Sequence, residues 1–234
     1  MVDSVLNALR LIADADPVLW SVIGRSLGVS LMACVLACSL GVVMGAVLAV
    51  VRFTGRSVVL TVLGALLALP SVVVGLLVYL LLSRSGPLGF LGWLFSFQAM
   101  VLAQAVLVLP VVVALTRQTI EDADQLHGEQ LQAMGANVGW RSILLAWDER
   151  YALLTVLITA FGRAISEVGA VMIVGGNIEG FTRVMTTAIA LETSKGDLPL
   201  ALGLGIVLLL IVWALNAAVA LLQRWRRSIE AQAL

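Results

Sequence analysis

Arg163 and Glu167 stand four residues apart in "FGRAISEVGAVMIVGGN" (161–177), inside an otherwise apolar run. Charged side chains inside a membrane segment are rare, and they mark an ion or substrate path or pair with one another. A charged side chain at the centre of a membrane helix costs at least about 2.5–3.5 kcal/mol, so the position needs a reason. Helix stabilisation is a poor one. A spacing of four lets the two side chains meet, but the acid lies on the carboxyl side, the weaker orientation for such a pair. Gly162, Ser166 and Gly169 form a small face beside the charges, suited to close helix packing. The pair is therefore expected to face the interior of a bundle or a wet cavity. It either fixes helix register as a neutralised pair or lines a path, and the two roles can coexist.

Other chemistry is scarce. Lys195 is the only lysine, and no G-x-x-x-x-G-K-[ST] phosphate loop occurs. His127 has no Cys or His partners at metal-binding spacing, and no Ser/His/Asp arrangement can be built within the apolar runs. The chain is expected not to be an enzyme, and no metal, cofactor or nucleic acid is expected on it. Cys34 and Cys38 share a helix face with Ser30, Gly41 and Gly45, a small-residue stripe that admits a neighbouring helix.

The elements that must position these residues are membrane helices. The chain is 61% hydrophobic and 12% charged, with a mean hydropathy of +1.08, whereas soluble domains carry about 25% charged residues. Five runs reach the length that crosses a bilayer as a helix: 27–51, 58–82, 98–116, 152–174 and 199–222. Of the 28 charged residues, only Arg163 and Glu167 fall within them. With the amino terminus outside, Arg52, Arg56, Arg117, Arg141, Arg150, Arg224, Arg226 and Arg227 become cytoplasmic. Arg10, Arg25, Arg84, Arg183 and Lys195 are then left outside. The excess of basic residues inside favours that orientation, with the carboxyl terminus cytoplasmic.

Residues 1–18 do not read as a cleaved signal peptide; Val5, Leu6, Leu9 and Ile12 predict a short helix on the membrane surface. Pro70 and Pro110 should each kink a span, and Pro70 with Ser71 is a candidate for the wall of a path. The aromatic loop 83–98 suits the membrane interface. Gly175 and Gly176 can end the fourth span in a left-handed cap, and 181–197 predicts a further helix, too short and polar to be a sixth span. The segment 117–151 is too long for a plain connection. Within it "EQLQAMGANVGW" (129–140) reads as a short helix ending at Gly135, a knob for another protein's groove.

That segment resembles the cytoplasmic E-A-A-x-x-x-G loop of ABC importer permeases. Glu129 and Gly135 match, Gln130 and Leu131 replace the alanines, and the later I-x-L-P is absent, with Leu145, Trp147 and Asp148 at its positions. Residues 161–197 resemble the tungstate branch of the oxyanion permeases. The F-x-R-x-x-x-E-x-G core shared with molybdate and sulfate permeases is present as Phe161, Arg163, Glu167 and Gly169. The resemblance covers nearly the whole chain as one transmembrane domain, 1–234. It implies an all-α type I importer fold working as a homodimer, two partner ATPase subunits that hold ATP and Mg, and an external tungstate-binding protein. By the same likeness a coupling helix at about 127–142 would offer Glu129, Gln132, Ala133, Met134, Gly135 and Ala136 to each ATPase. Asn177, Thr186 and Thr187 would join Arg163 and Glu167 in receiving the oxyanion. A molybdate or sulfate permease, an ion-gradient-driven secondary transporter and a non-transporting membrane anchor are the competing readings.

Overall fold

The computed structural model describes residues 6–7, 10, 12–14 and 16–232, with side chains up to Arg224. Among the described residues the regular elements are all helical. In chain order they are α1 (Pro17–Val50), α2 (Arg56–Leu67), α3 (Ser71–Leu82), α4 (Phe97–Ala133), α5 (Val138–Asp148), α6 (Arg150–Ile165), α7 (Gly169–Gly175), α8 (Met185–Lys195) and α9 (Leu198–Gln232). A single 3₁₀ turn, Gly89–Leu91, lies in the aromatic loop. Most of the expected surface helix at 1–18 lies outside the described residues; 6–7, 10 and 12–13 are helical, and Ile12 packs beside Leu19 and Ile23.

Three helices, α1, α4 and α9, are long and apolar enough to cross a membrane unbroken. Two helix pairs are long and apolar enough only when taken together, and each is bent: α2 with α3 at 100°, and α6 with α7 at 58°. The spans expected at 58–82 and 152–174 are therefore each two helices rather than one. Pro70 accounts for the first break. It cannot donate into a helical ladder, so the chain turns there and Pro70 becomes the N-cap of α3. Pro110, by contrast, sits buried within α4, which runs on through it without a break.

α1 and α4 form the most extensive helix pairing, and the small residues read from sequence explain why. A Cβ on Gly41 would lie 2.8 Å from Val112, and one on Gly45 would lie 2.7 Å from Thr116. Removing side chains there lets the two backbones approach, which is how helices gain contact in lipid. Asp16 starts α1 by accepting hydrogen bonds from the Val18 and Leu19 amides at 3.0 and 2.9 Å. A main apolar cluster joins α1, α3, α4 and α7 through Val29, Val78, Met100 and Val174. Away from these contacts, Leu209, Leu210 and Trp213 on α9 and Leu40 and Val43 on α1 face outward, as expected of a surface against lipid rather than water.

The segment 117–151 is more regular than its composition suggested. α4 is 37 residues long, about 55 Å at 1.5 Å per residue, so it outruns a hydrocarbon core of about 30 Å. Its polar half carries Arg117, Glu121 and Asp124. Residues 134–137 then turn the chain into α5. No separate helix spans 127–142: the end of α4, the turn and the start of α5 occupy those positions.

Candidate functional site

Arg163 lies in the last turn of α6, and Glu167 lies in the break before α7. The two charges are thus not one turn apart on a continuous helix; the break re-aims the second. The Glu167 carboxylate is 5% exposed and caps α7, its Oε1 accepting from the Ala170 amide at 3.2 Å. Its Oε2 lies 4.0 Å from the Arg163 guanidinium, which is 49% exposed. One partner is buried within the fold and the other looks out of it. The small face read from sequence divides in the same way. A Cβ on Gly162 would meet open space and Ser166 is exposed, whereas one on Gly169 would lie 2.8 Å from Ser71 Oγ.

A broken helix in a membrane leaves backbone groups that must be satisfied by protein or water. Ala164 O accepts from the Glu167 amide at 3.1 Å and from Gln104 Nε2 of α4 at 2.9 Å. Glu167 O accepts from Thr186 Oγ1 of α8 at 2.7 Å. The break is therefore held open by side chains from two other elements. Gln104 escaped the sequence reading. Its signal was an amide six residues into the run 98–116, where a lone polar group needs a partner.

The second break sits against the first. Ser71 and Val72, at the start of α3, are the neighbours of Gly169, and a Cβ on Gly75 would lie 2.7 Å from the Ala170 Cα. Pro70 and Ser71 are thus brought to the Glu167–Gly169 junction. Asn177, with φ 50° just past the Gly176 cap, donates through Nδ2 to Thr187 O at 3.3 Å. Thr187 is fully buried, its hydroxyl shared between the Val184 amide and carbonyl at 3.2 and 3.1 Å. Thr186, Thr187 and Asn177 thereby tie α8 to the broken span, with both threonine hydroxyls committed inside the fold.

The charged groups outside the spans collect at two ends. At one, Arg52, Arg56 and Arg117 converge on Glu121, with Arg56 at 2.7 Å, and Arg141 pairs with Asp124 at 2.7 Å. At the other, Arg25 donates to the carbonyls of Arg183 and Gly180 at 2.8 and 3.0 Å, and Arg183 and Lys195 flank Glu192 at 3.6 and 3.1 Å. Arg52 and Arg56 thus meet the polar part of α4 at one end, and Arg25 meets the 180–183 segment at the other. The tip of the first end is 129–136: Glu129, Gln132, Ala133 and Gly135 are exposed, Met134 is 82% exposed and Ala136 is half-buried. Gly135 turns at φ 84°, a conformation that favours glycine.

Long apolar helices, together with two bent helix pairs whose breaks meet at one junction that carries a half-exposed arginine, define a multi-pass membrane protein. The chain belongs to the family of ABC transporter permeases that includes tungstate uptake and anion permeases. It is 40% identical over 92% of its length to the tungstate uptake system permease protein TupB of Peptoclostridium acidaminophilum, covering 95% of that protein. It is 44% identical over 70% of its length to a probable anion ABC transporter permease protein of Haloferax volcanii, covering 73% of it. Against TupB of Campylobacter jejuni the identity is 42% over 64% of this chain and 63% of that one. Sulfate and molybdenum transport permeases match at lower identity, 30% over 68% of this chain and 34% over 58% of it. No protein-family model matches the chain.

Proposed function

We propose that this chain is the permease subunit of an ATP-driven importer that carries tungstate across the bacterial cytoplasmic membrane. The observation that carries the reading is the 40% identity over 92% of the chain to a tungstate uptake permease. Five passes are proposed, the bent pairs α2–α3 and α6–α7 each counting as one, with the amino terminus outside and the carboxyl terminus inside. Two supports favour this arrangement: the segregation of charged loops into two groups, and the excess of arginine in the group containing Arg52, Arg117 and Arg141.

In this proposal two copies face each other across the path, and an external binding protein releases the anion at the end carrying Arg25 and Arg183. Arg163 attracts the dianion at the junction of the two broken spans, beside Pro70, Ser71 and Gly169. Glu167 offsets part of that attraction, so the anion is passed on rather than trapped. Thr186, Thr187 and Asn177 support the path by holding the junction. The exposed tip 129–136 docks one ATPase subunit per copy, and ATP and Mg stay on those subunits. Met134, bare and apolar at the turn, suits a groove on such a partner.

Molybdate or sulfate as cargo is the second reading, favoured by the more distant relatives named for those anions. Competition decides between them. In vesicles holding the assembled complex, unlabelled tungstate should displace labelled tungstate uptake at far lower concentration than molybdate or sulfate. A reversed order would reassign the cargo. Uptake by the purified chain alone would instead point to a secondary transporter.

A further inference from the structure

A cavity of about 400 Å³ opens between α4, α6 and the far end of α9, and it is lined by Gln118, Thr119, Asp122, Tyr151, Thr155 and Thr159 among others. Tyr151, Thr155 and Thr159 recur every fourth residue of α6, and the next position in that series is Arg163. Residues four apart on a helix lie one above another. A polar strip therefore descends α6 from the broken junction into the cavity, in a chain whose spans are otherwise almost wholly apolar.

The hydroxyls on this strip are arranged to wet rather than to grip. Thr159 Oγ1 donates to Thr155 O at 2.9 Å and Thr155 Oγ1 to Tyr151 O at 3.3 Å. With their protons held by the helix, the two threonines present lone pairs outward, to which water can donate a hydrogen bond and a fully deprotonated oxyanion cannot. Asp122 is the one charged side chain in the lining and forms no ion pair among the described residues. Arg150 is exposed beside the lining, its guanidinium 4.6 Å from the Tyr151 ring centroid and donating to Trp147 O at 2.9 Å.

We propose that this cavity is a hydrated release vestibule for the oxyanion, with Asp122 making its mouth electronegative. An anion leaving Arg163 meets surface that keeps it hydrated and then a carboxylate that repels it. The same carboxylate disfavours re-entry of cytoplasmic anions. The strip thus runs from attraction to neutrality to repulsion, which lets a transporter let go of what it has drawn in. The inference rests on the permease reading above, including its orientation.

Single cysteines test it in the assembled complex, with Cys34 and Cys38 replaced by alanine. Thr155→Cys and Thr159→Cys should react with membrane-impermeant thiol reagents applied from the cytoplasmic side, and tungstate should slow both reactions. Leu154→Cys, on an apolar exposed face, should not react. Asp122→Asn should raise the rate with an anionic reagent relative to a cationic one at least threefold at both positions. Unreactive cysteines at 155 and 159, or an unchanged ratio in Asp122→Asn, would overturn the vestibule while wild-type tungstate uptake still stands. Loss of uptake specificity in the wild type would instead remove the permease reading beneath it.

Discussion

Glu167 carries two duties that its neighbours do not share: it caps α7 and it faces Arg163. Substitution by glutamine separates them, because the amide oxygen still accepts from the Ala170 amide while the charge is lost. The expected outcome is an intact, assembled complex in which bound anion is held too well, with KM and kcat falling together. That pattern marks the removal of a ground-state counterweight. Unchanged kinetics would confine Glu167 to capping. Thr186→Val removes the hydroxyl that donates to Glu167 O and should cost about 1 kcal/mol of stability, read as a lower melting temperature in detergent. At this scale the sequence singles out the two charges and is silent about their geometry. Two opposite charges in an apolar run stand out at once. That one is buried and the other half-exposed depends on a bend held by Gln104 and Thr186, which lie far from it in the chain.

Helix breaks decide the shape of the site, and each has a local cause. Pro70 stops one ladder, and Glu167 starts another by capping α7. The two broken passes then meet where glycine permits it. Gly75→Val should be destabilising by about 1–3 kcal/mol, the usual cost of overpacking, because its Cβ would sit 2.7 Å from the Ala170 Cα. Gly64→Val, where nothing lies within 4 Å, should leave thermal stability near that of the wild type. Equal melting temperatures for the two variants would refute the close approach. The length of the apolar runs pointed to where the apolar helices lie, since it reports removal from water. It could not show the 100° and 58° bends, since both halves of a bent pass are equally apolar. Pro110 illustrates the limit from the other direction. It is as conspicuous in sequence as Pro70, yet α4 passes through it because the surrounding helices bury it and the ladder resumes on both sides.

The whole molecule presents two polar ends, an apolar girdle and an exposed tip, and each bears on transport. A cysteine replacing Phe90 should be labelled by an impermeant reagent from outside and one replacing Trp147 only from inside. Labelling of both from one side would overturn the five-pass arrangement. Met134→Asp leaves the fold undisturbed, since the side chain is almost wholly exposed, and should uncouple the partner ATPase, whose turnover would stop responding to loaded binding protein. Retained coupling would move the docking surface elsewhere. The tip was legible in sequence as a glycine-ended pattern beginning at Glu129. That it crowns a 37-residue helix was not, because the charges past residue 116 mark where the membrane stops and not where the helix does. The most direct measurement is tungstate uptake by the Arg163→Ala complex reconstituted in vesicles with its ATPase and binding protein. Assembly at wild-type yield with uptake reduced to background is the predicted result; uptake at the wild-type rate would contradict it.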